Sequence, residues 1–237
     1  MTALPRRVQP ETLDGLAPDD PAARRSRADL RRIHRVMGTR SITLRALRGW
    51  HWPALGRPLR VLELGAGDAS VMLGVARRMA AQWPPVELTL LDRQPVVDIA
   101  TLEAYAKLGW TARSEVRDVV EWAGAAEPVH HDLIVAHLFL HHFDAAVLRT
   151  LLHAIAARCD RAVACEPRRS VAALVASHLV AAIGANAVTR EDAVLSVHAG
   201  FDDRELTALW PRAGWQVDES RARLFTHCLR AQRLATA

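Results

Sequence analysis

Lysine is nearly missing from this chain. Lys107 is the only one, so 30 of the 31 basic residues are arginines. Such usage in an alanine-rich chain reads as a bias of the coding DNA. Aromatics make up 5% of the residues and nowhere interleave with a basic run, so the net charge of +5 is not taken as a mark of a nucleic-acid partner. The one dense basic stretch, Arg24 to Arg40, carries Leu30, Ile33, Val36 and Met37 at helical spacing. It reads as an amphipathic helix with a solvated arginine face. Cysteine is scarce too: Cys159, Cys165 and Cys228 are odd in number and far apart, which fits free thiols in a reducing compartment. No unbroken apolar run approaches the roughly 18 residues of a membrane span. The opening Met1-Thr-Ala-Leu-Pro-Arg-Arg has no apolar stretch behind its arginines, so a cytoplasmic chain without a signal peptide is expected. Repeats and low-complexity segments are missing as well.

What is present is a rhythm. The length of 237 residues suits one α/β domain with an N-terminal extension. Residues 1–22 hold four prolines and several acids without periodicity, and read as a flexible lead-in. Residues 23–52 read as a helical cap, broken near Gly38-Thr39, and 53–237 as the main domain. Within that domain short apolar strands are expected at Leu59–Leu64, Val86–Leu91, Ala112–Val116, Leu133–Leu138 and Ala162–Cys165. Helices are expected between and after them, over 68–82, 95–108, 144–157 and 170–184. The alternation implies a mostly parallel sheet covered on both faces. After a helix over 203–210, the runs Trp215–Glu219 and Leu224–Ala231 have no clear helix between them, and so predict an antiparallel pair at the sheet edge.

The sharpest motif is Val61-Leu-Glu63-Leu-Gly65-Ala66-Gly67-Asp-Ala69-Ser70, where a strand runs into two glycines and a helix begins. Glycines there permit positive φ and let a ligand lie on bare backbone. A dinucleotide fingerprint would place its third glycine where Ser70 stands, and Glu63 at a strand end suits a cationic ligand. Glu63 to Gly67 resembles the first motif of class I S-adenosylmethionine-dependent methyltransferases. Further marks follow in that family's order. Asp92 ends the second strand, 25 residues after Gly67, with Arg93 behind it. Asp118-Val119 follows the third strand, and His131-Asp132-Leu-Ile-Val-Ala136-His137 forms the fourth. Taken singly, Asp92 or Asp118 would be an ordinary solvated acid, and the ordered set carries the resemblance. It implies a Rossmann-like, seven-stranded fold and S-adenosylmethionine as cofactor. It implies cofactor contacts from Glu63, Gly65, Ala66, Gly67, Asp92, Arg93, Asp118, Val119, Ala136 and His137. Many relatives carry a glycine where this chain has Ala69.

Methyl transfer from a sulfonium is an in-line displacement that needs alignment and, for a hydroxyl acceptor, a base. The segment Ala136-His137-Leu-Phe-Leu-His141-His142-Phe-Asp144 follows the fourth strand, at the end where such sheets hold ligands. His141, followed by an aromatic and Asp144, resembles the catalytic histidine of plant phenolic O-methyltransferases. Glu166 stands 25 residues on, where that family's orienting glutamate would be. The plainer reading is a structural turn in which Asp144 caps the next helix. A metal site is not expected, because His130-His131 and His141-His142 show neither an i, i+4 pair nor a Cys-x-x-Cys. The methyltransferase resemblance implies an acceptor side built from 23–52 and 167–201, with Met37, Trp50, His142 and His178 as candidate contacts. Ile33 to Gly38 and Ser196 to Phe201 are similar to segments of small bacterial methyltransferases found beside type III polyketide synthases. That resemblance implies a small aromatic acceptor, phenolic or polyketide-derived and O-methylated; monomer and homodimer both stay open. Competing readings are C-methylation of a quinol or aromatic ring, a nicotinamide-dependent oxidoreductase, and a silent binding protein.

Overall fold

The computed structural model describes residues 4–52, 56–126 and 128–234. Residues 1–3 of the lead-in and the boundary placed at 53 lie outside them. The strands are β1 Leu59–Leu64, β2 Val86–Asp92, β3 Trp110–Val116, β4 His131–His137, β5 Cys159–Pro167, β6 Trp215–Arg221 and β7 Thr226–Arg233. They form one sheet in the order β3-β2-β1-β4-β5-β7-β6. The first five pair in parallel, and β7 runs antiparallel to both β5 and β6. This is the Rossmann-like arrangement expected, with the β6–β7 pair at the edge.

The central strands of the sheet are apolar on both faces because helices cover both. Leu59 and Val61 of β1 meet Ile42 and Leu47 of α3 (Thr39–Leu47), Met72 and Val75 of α4 (Ser70–Met79), and Tyr105 of α5 (Ile99–Ala106). Leu62 and Leu64 point the other way. They meet Trp122 of α6 (Val119–Ala123), Leu148 and Leu152 of α7 (Ala145–Ala157), and Leu206 of α10 (Glu205–Leu209). Each fully buried leucine of β1 contributes on the order of 1.5–3 kcal/mol. β1 sits between β2 and β4, so the chain winds away in opposite directions on its two sides. The loops after β1 and β4 therefore part and leave a crevice at the strands' carboxyl ends.

The N-terminal helices break where the sequence says. Gly38, left-handed at φ 72°, separates α2 (Pro21–Met37) from α3, and a Cβ there would meet Nη1 of Arg223 at 2.3 Å. The segment expected as one helix over 170–184 is instead α8 (Val171–His178), then a 3-10 turn over Val180–Ile183 ended by left-handed Gly184. Helix α9 (Ala187–Ala199), capped by Asn186 on the Thr189 amide, was not foreseen, nor was α6. Because α9 packs against α1 (Thr12–Gly15), α2, α8 and β5, its apolar residues do not gather on one face.

Residues 4–20 do not match the expectation of an unattached lead-in. The chain forms a turn of helix, α1 (Thr12–Gly15), whose first two amides donate to Asp192 of α9 at 2.8 and 3.0 Å. The Arg6 guanidinium bonds the Ala199 and Phe143 carbonyls and lies 4.6 Å over the Phe201 ring. Arg169 donates to the Leu4 carbonyl at 2.7 Å. The prolines that remove periodicity here do not remove anchorage. Asp192→Ala leaves both α1 amides unpaired and is expected to expose residues 4–16 to limited proteolysis while the main unfolding transition moves little. Equal protection in variant and wild type would show that Asp192 does not hold the segment.

Candidate active site

The crevice holds a cavity of about 460 Å³. Gly65 and Gly67 lie on its floor at φ 62° and 53°, and a Cβ on Gly65 would strike the Phe139 ring at 2.1 Å. Ala69, in place of a third glycine, is also left-handed at φ 58°. Asp92 reaches in from the end of β2, one oxygen accepting from the Gly67 amide (2.8 Å) and the other from the Gln94 amide (2.9 Å). Each oxygen accepts one such bond and retains a second lone pair, in a residue that lines the cavity. Asp118 and Val119 line the far wall, and Asp118 also caps α6 through the Val120 amide at 2.6 Å. Arg93 lies at the rim, paired with Asp14 at 3.2 Å.

Glu63 and His137 sit beneath the floor. Thr43 gives its only hydroxyl proton to the Thr39 carbonyl, so it accepts from His137 Nε2–H at 2.9 Å. His137 Nδ1 lies 2.8 Å from Glu63 Oε1. Burial pushes the Glu63 carboxyl above its ordinary range despite that bond. Glu63 Oε2 is buried without a partner in the cavity wall. An acceptor left so costs about 1–3 kcal/mol unless a donor fills it.

His141 and Glu166 come together as expected, with His141 Nδ1 2.8 Å from Glu166 Oε2. Glu166 ends β5 and also accepts the amides of Phe139 and Leu140 at 3.1 and 3.0 Å, which fixes the carboxylate and so the ring. A third member joins them from a segment without periodicity. Glu11 of the N-terminal segment places Oε1 3.3 Å from His141 Nε2, and Ser196 of α9 donates to the same oxygen. Asp14 takes His142 Nδ1 at 3.0 Å. Burial opposes charge on His141, but bonds to Glu11 and Glu166 outweigh it and raise its pKa to about 9. Both carboxylates are correspondingly held below their ordinary range against the opposing effect of burial. Ligand-type atoms of Glu11, His141 and His142 lie within 4.8 Å of one another, occupied by these mutual contacts.

A second, apolar cavity of about 130 Å³ lies between α2, α8 and α9. The two cavities share Glu11, Leu13, Leu30, Leu138 and Ser196, so they meet beside His141. Leu138, left-handed at φ 51°, stands at that junction. Strain in a non-glycine residue is typical of sites where function dictates geometry.

Met37 lines the apolar cavity and His142 the larger one. Three candidates fall elsewhere. Trp50 is packed at the opposite end of the sheet, its indole N–H on Gln232 and its ring under Arg230, because the α3–β1 connection runs to the strands' amino ends. His178 ends α8 pointing outward, exposed, because the helix turns Ala173 and Ser177 inward instead. Ala136 is buried among core side chains under β4, on the face opposite His137, as alternation along a strand requires.

No protein-family model and no curated protein matches the chain. Its fold is similar to that of several solved methyltransferases. The plantazolicin methyltransferase BpumL in complex with SAH matches with a TM-score of 0.64 at 13% identity over 91% of each chain. An O-methyltransferase family protein from Burkholderia thailandensis matches at 0.58 and 18% identity, over 87% of this chain and 57% of that one. Magnesium protoporphyrin IX methyltransferase (ChlM) from Synechocystis PCC 6803 with bound SAH matches at 0.53 and 14%, over 87% and 86%. The chain thus has the methyltransferase fold that the ordered motifs implied.

The carboxylate–imidazole–carboxylate unit has a measurable signature in stability. The folded pKa of His141 lies above its ordinary value of 6.5, at about 9. The stabilisation it brings is complete below pH 6.5 and is lost as pH rises through 9. Glu11→Gln is expected to lower the melting temperature most near pH 6, with the gap from wild type narrowing toward pH 9. A gap independent of pH would mean that Glu11 does not charge His141.

Proposed function

We propose that this protein is an S-adenosylmethionine-dependent methyltransferase acting on the hydroxyl of a small phenolic acceptor. The observation that carries this reading is the meeting of two cavities, one polar and one apolar, at Glu11 and Leu138 beside the His141–Glu166 pair. The residues fit the cofactor. Glu63 Oε2 is a buried acceptor without a donor, suited to an ammonium group. Gly65 and Gly67 present bare backbone, and the Asp92 oxygens suit two vicinal hydroxyls. A nicotinamide dinucleotide fits less well, since Ser70 stands where its fingerprint has a glycine. When bound, S-adenosylmethionine supplies an electrophilic methyl group on a sulfonium.

The chain's own residues then align the acceptor and take its proton. Ile33, Met37, Ala173, Ala176 and Val180 hold the apolar body of the acceptor. Glu166 fixes His141 with Nε2 toward the junction. While Glu11 contacts Nε2 the ring stays protonated and is no base. The acceptor hydroxyl takes the place of Glu11 at that atom, and loss of the second carboxylate lowers the His141 pKa enough for Nε2 to accept the proton.

Incubation with labelled S-adenosylmethionine and a panel of phenols, alkylresorcinols and quinones, read by mass spectrometry, tests the activity. Transfer to none of them, together with calorimetric binding of NADH but not S-adenosylhomocysteine, would end this reading. Asp92→Ala is expected to weaken S-adenosylhomocysteine binding about 30- to 150-fold, as two hydroxyls lose an acceptor. An unchanged dissociation constant would place Asp92 outside the site. His141→Ala is expected to lower turnover roughly 10²–10⁴-fold at unchanged cofactor affinity. In wild type, kcat/KM for a phenol rises with pH up to about 9, and in Glu11→Gln that limb moves to lower pH. A limb that stays in place reports the phenol's own ionisation and removes His141 as the base.

A further inference from the structure

Residues 170–189 contain no charged side chain, in a chain where 24% of residues are charged. Such a run belongs in a core, yet much of it is on the surface. Val171, Val175, Leu179 and Ile183 are 50, 56, 62 and 39% exposed. The first three are spaced four residues apart and follow one side of α8. Across the apolar cavity Val36 of α2 is 57% exposed. Val36 and Ile183 also line that cavity, so its mouth opens within the apolar patch.

The rim of the patch is basic. Arg24, Arg25, Arg32 and Arg35 of α2 are exposed, as is Arg190 at the start of α9. Arg25, Arg32 and Val36 share a flank of α2, and Arg32 reaches the Gly184 carbonyl at 3.3 Å. Among the described residues Arg24, Arg25, Arg35 and Arg190 have no carboxylate partner. The acids of these segments are Asp29, Asp192 and Glu191. The first two are buried and engaged by backbone amides.

An uncharged, exposed stripe ringed by unpaired arginines matches the interface of an anionic bilayer, with apolar side chains in the acyl boundary and guanidinium groups at the phosphates. A second copy of the chain fits poorly, since a symmetric contact would oppose the arginine rims and cover the cavity mouth. We propose that the patch formed by α8, the 180–183 turn and the adjoining flank of α2 docks on an anionic lipid surface. An amphiphilic acceptor then enters the apolar cavity directly from the bilayer. Docking stands on the surface alone; the acceptor's route rests on the proposed activity.

The test is flotation with vesicles of phosphatidylcholine, and of equimolar phosphatidylcholine and phosphatidylglycerol. Wild type is expected to float with the mixed vesicles, weakly with the neutral ones, and less as salt is raised. V175E/L179E and R25E/R35E each alter exposed residues outside both cavities. Each is expected to lose about 30-fold or more in vesicle affinity while binding S-adenosylhomocysteine as wild type does. Wild type remaining with the unbound fraction, or both variants floating as well as wild type, would overturn the proposal. So would a dimer in sedimentation equilibrium that V175E/L179E dissociates, which assigns the patch to a second copy. Vesicle binding without any methyl transfer would leave docking standing and count against the activity alone.

Discussion

A buried imidazole between two carboxylates ties together three parts of the chain that are remote in sequence. Glu166 ends β5, His141 lies in the loop after β4, and Glu11 comes from the N-terminal segment 130 residues away. In a site nearly closed to water, a carboxylate or an imidazolium alone would be costly. Together they offset one another, and removing one partner from such an arrangement typically costs 3–5 kcal/mol. The amides of Phe139 and Leu140 hold Glu166 and thereby set the course of the loop that also places Leu138 between the cavities.

The fold makes that loop available. Winding the strands outward from β1 and β4 opens the crevice, and the glycine turn keeps its floor free of side chains. What closes the crevice is not the sheet but the N-terminal segment and α9, joined through Asp192, Ser196 and Arg6. The polar cavity therefore owes one wall to the domain and the other to a strap. The apolar cavity owes its walls to α2, α8 and α9, helices outside the central alternation.

The central part of this structure was legible because its signals are local. The central strands, buried on both faces, read as apolar runs, and all seven strands lie within a few residues of the bounds the sequence predicts. Gly65, Gly67, Asp92 and Asp118 stand at strand ends, and it is their order along the chain, as the methyltransferase resemblance reads it, that singles them out. His141 and Glu166 are paired in the sequence only through the resemblance to phenolic O-methyltransferases, and their place at the carboxyl ends of the neighbouring strands β4 and β5 brings them within reach. Glu11 and Asp14 carried no such signal. Their segment lacks periodicity, and what holds it is Asp192, about 180 residues away. Trp50 lies far from the site, and an aromatic in a loop does not reveal which end of the sheet that loop visits. His178 lies outside because α8 buries Ala173 and Ser177, and an almost uniformly apolar helix does not show in its sequence which side it turns inward. The weak pattern of α9 has the same cause as its importance, since it is touched on several sides.

In the proposed reaction Glu11 keeps His141 protonated until an acceptor takes its place, and an NMR titration of the His141 ring reads this directly. In the S-adenosylhomocysteine complex without acceptor, the ring is expected to titrate near pH 9. Adding an unreactive phenol that fills the apolar cavity is expected to lower that value. A ring that titrates near 6.5 in the absence of acceptor, or one whose titration the phenol leaves unchanged, would contradict the account.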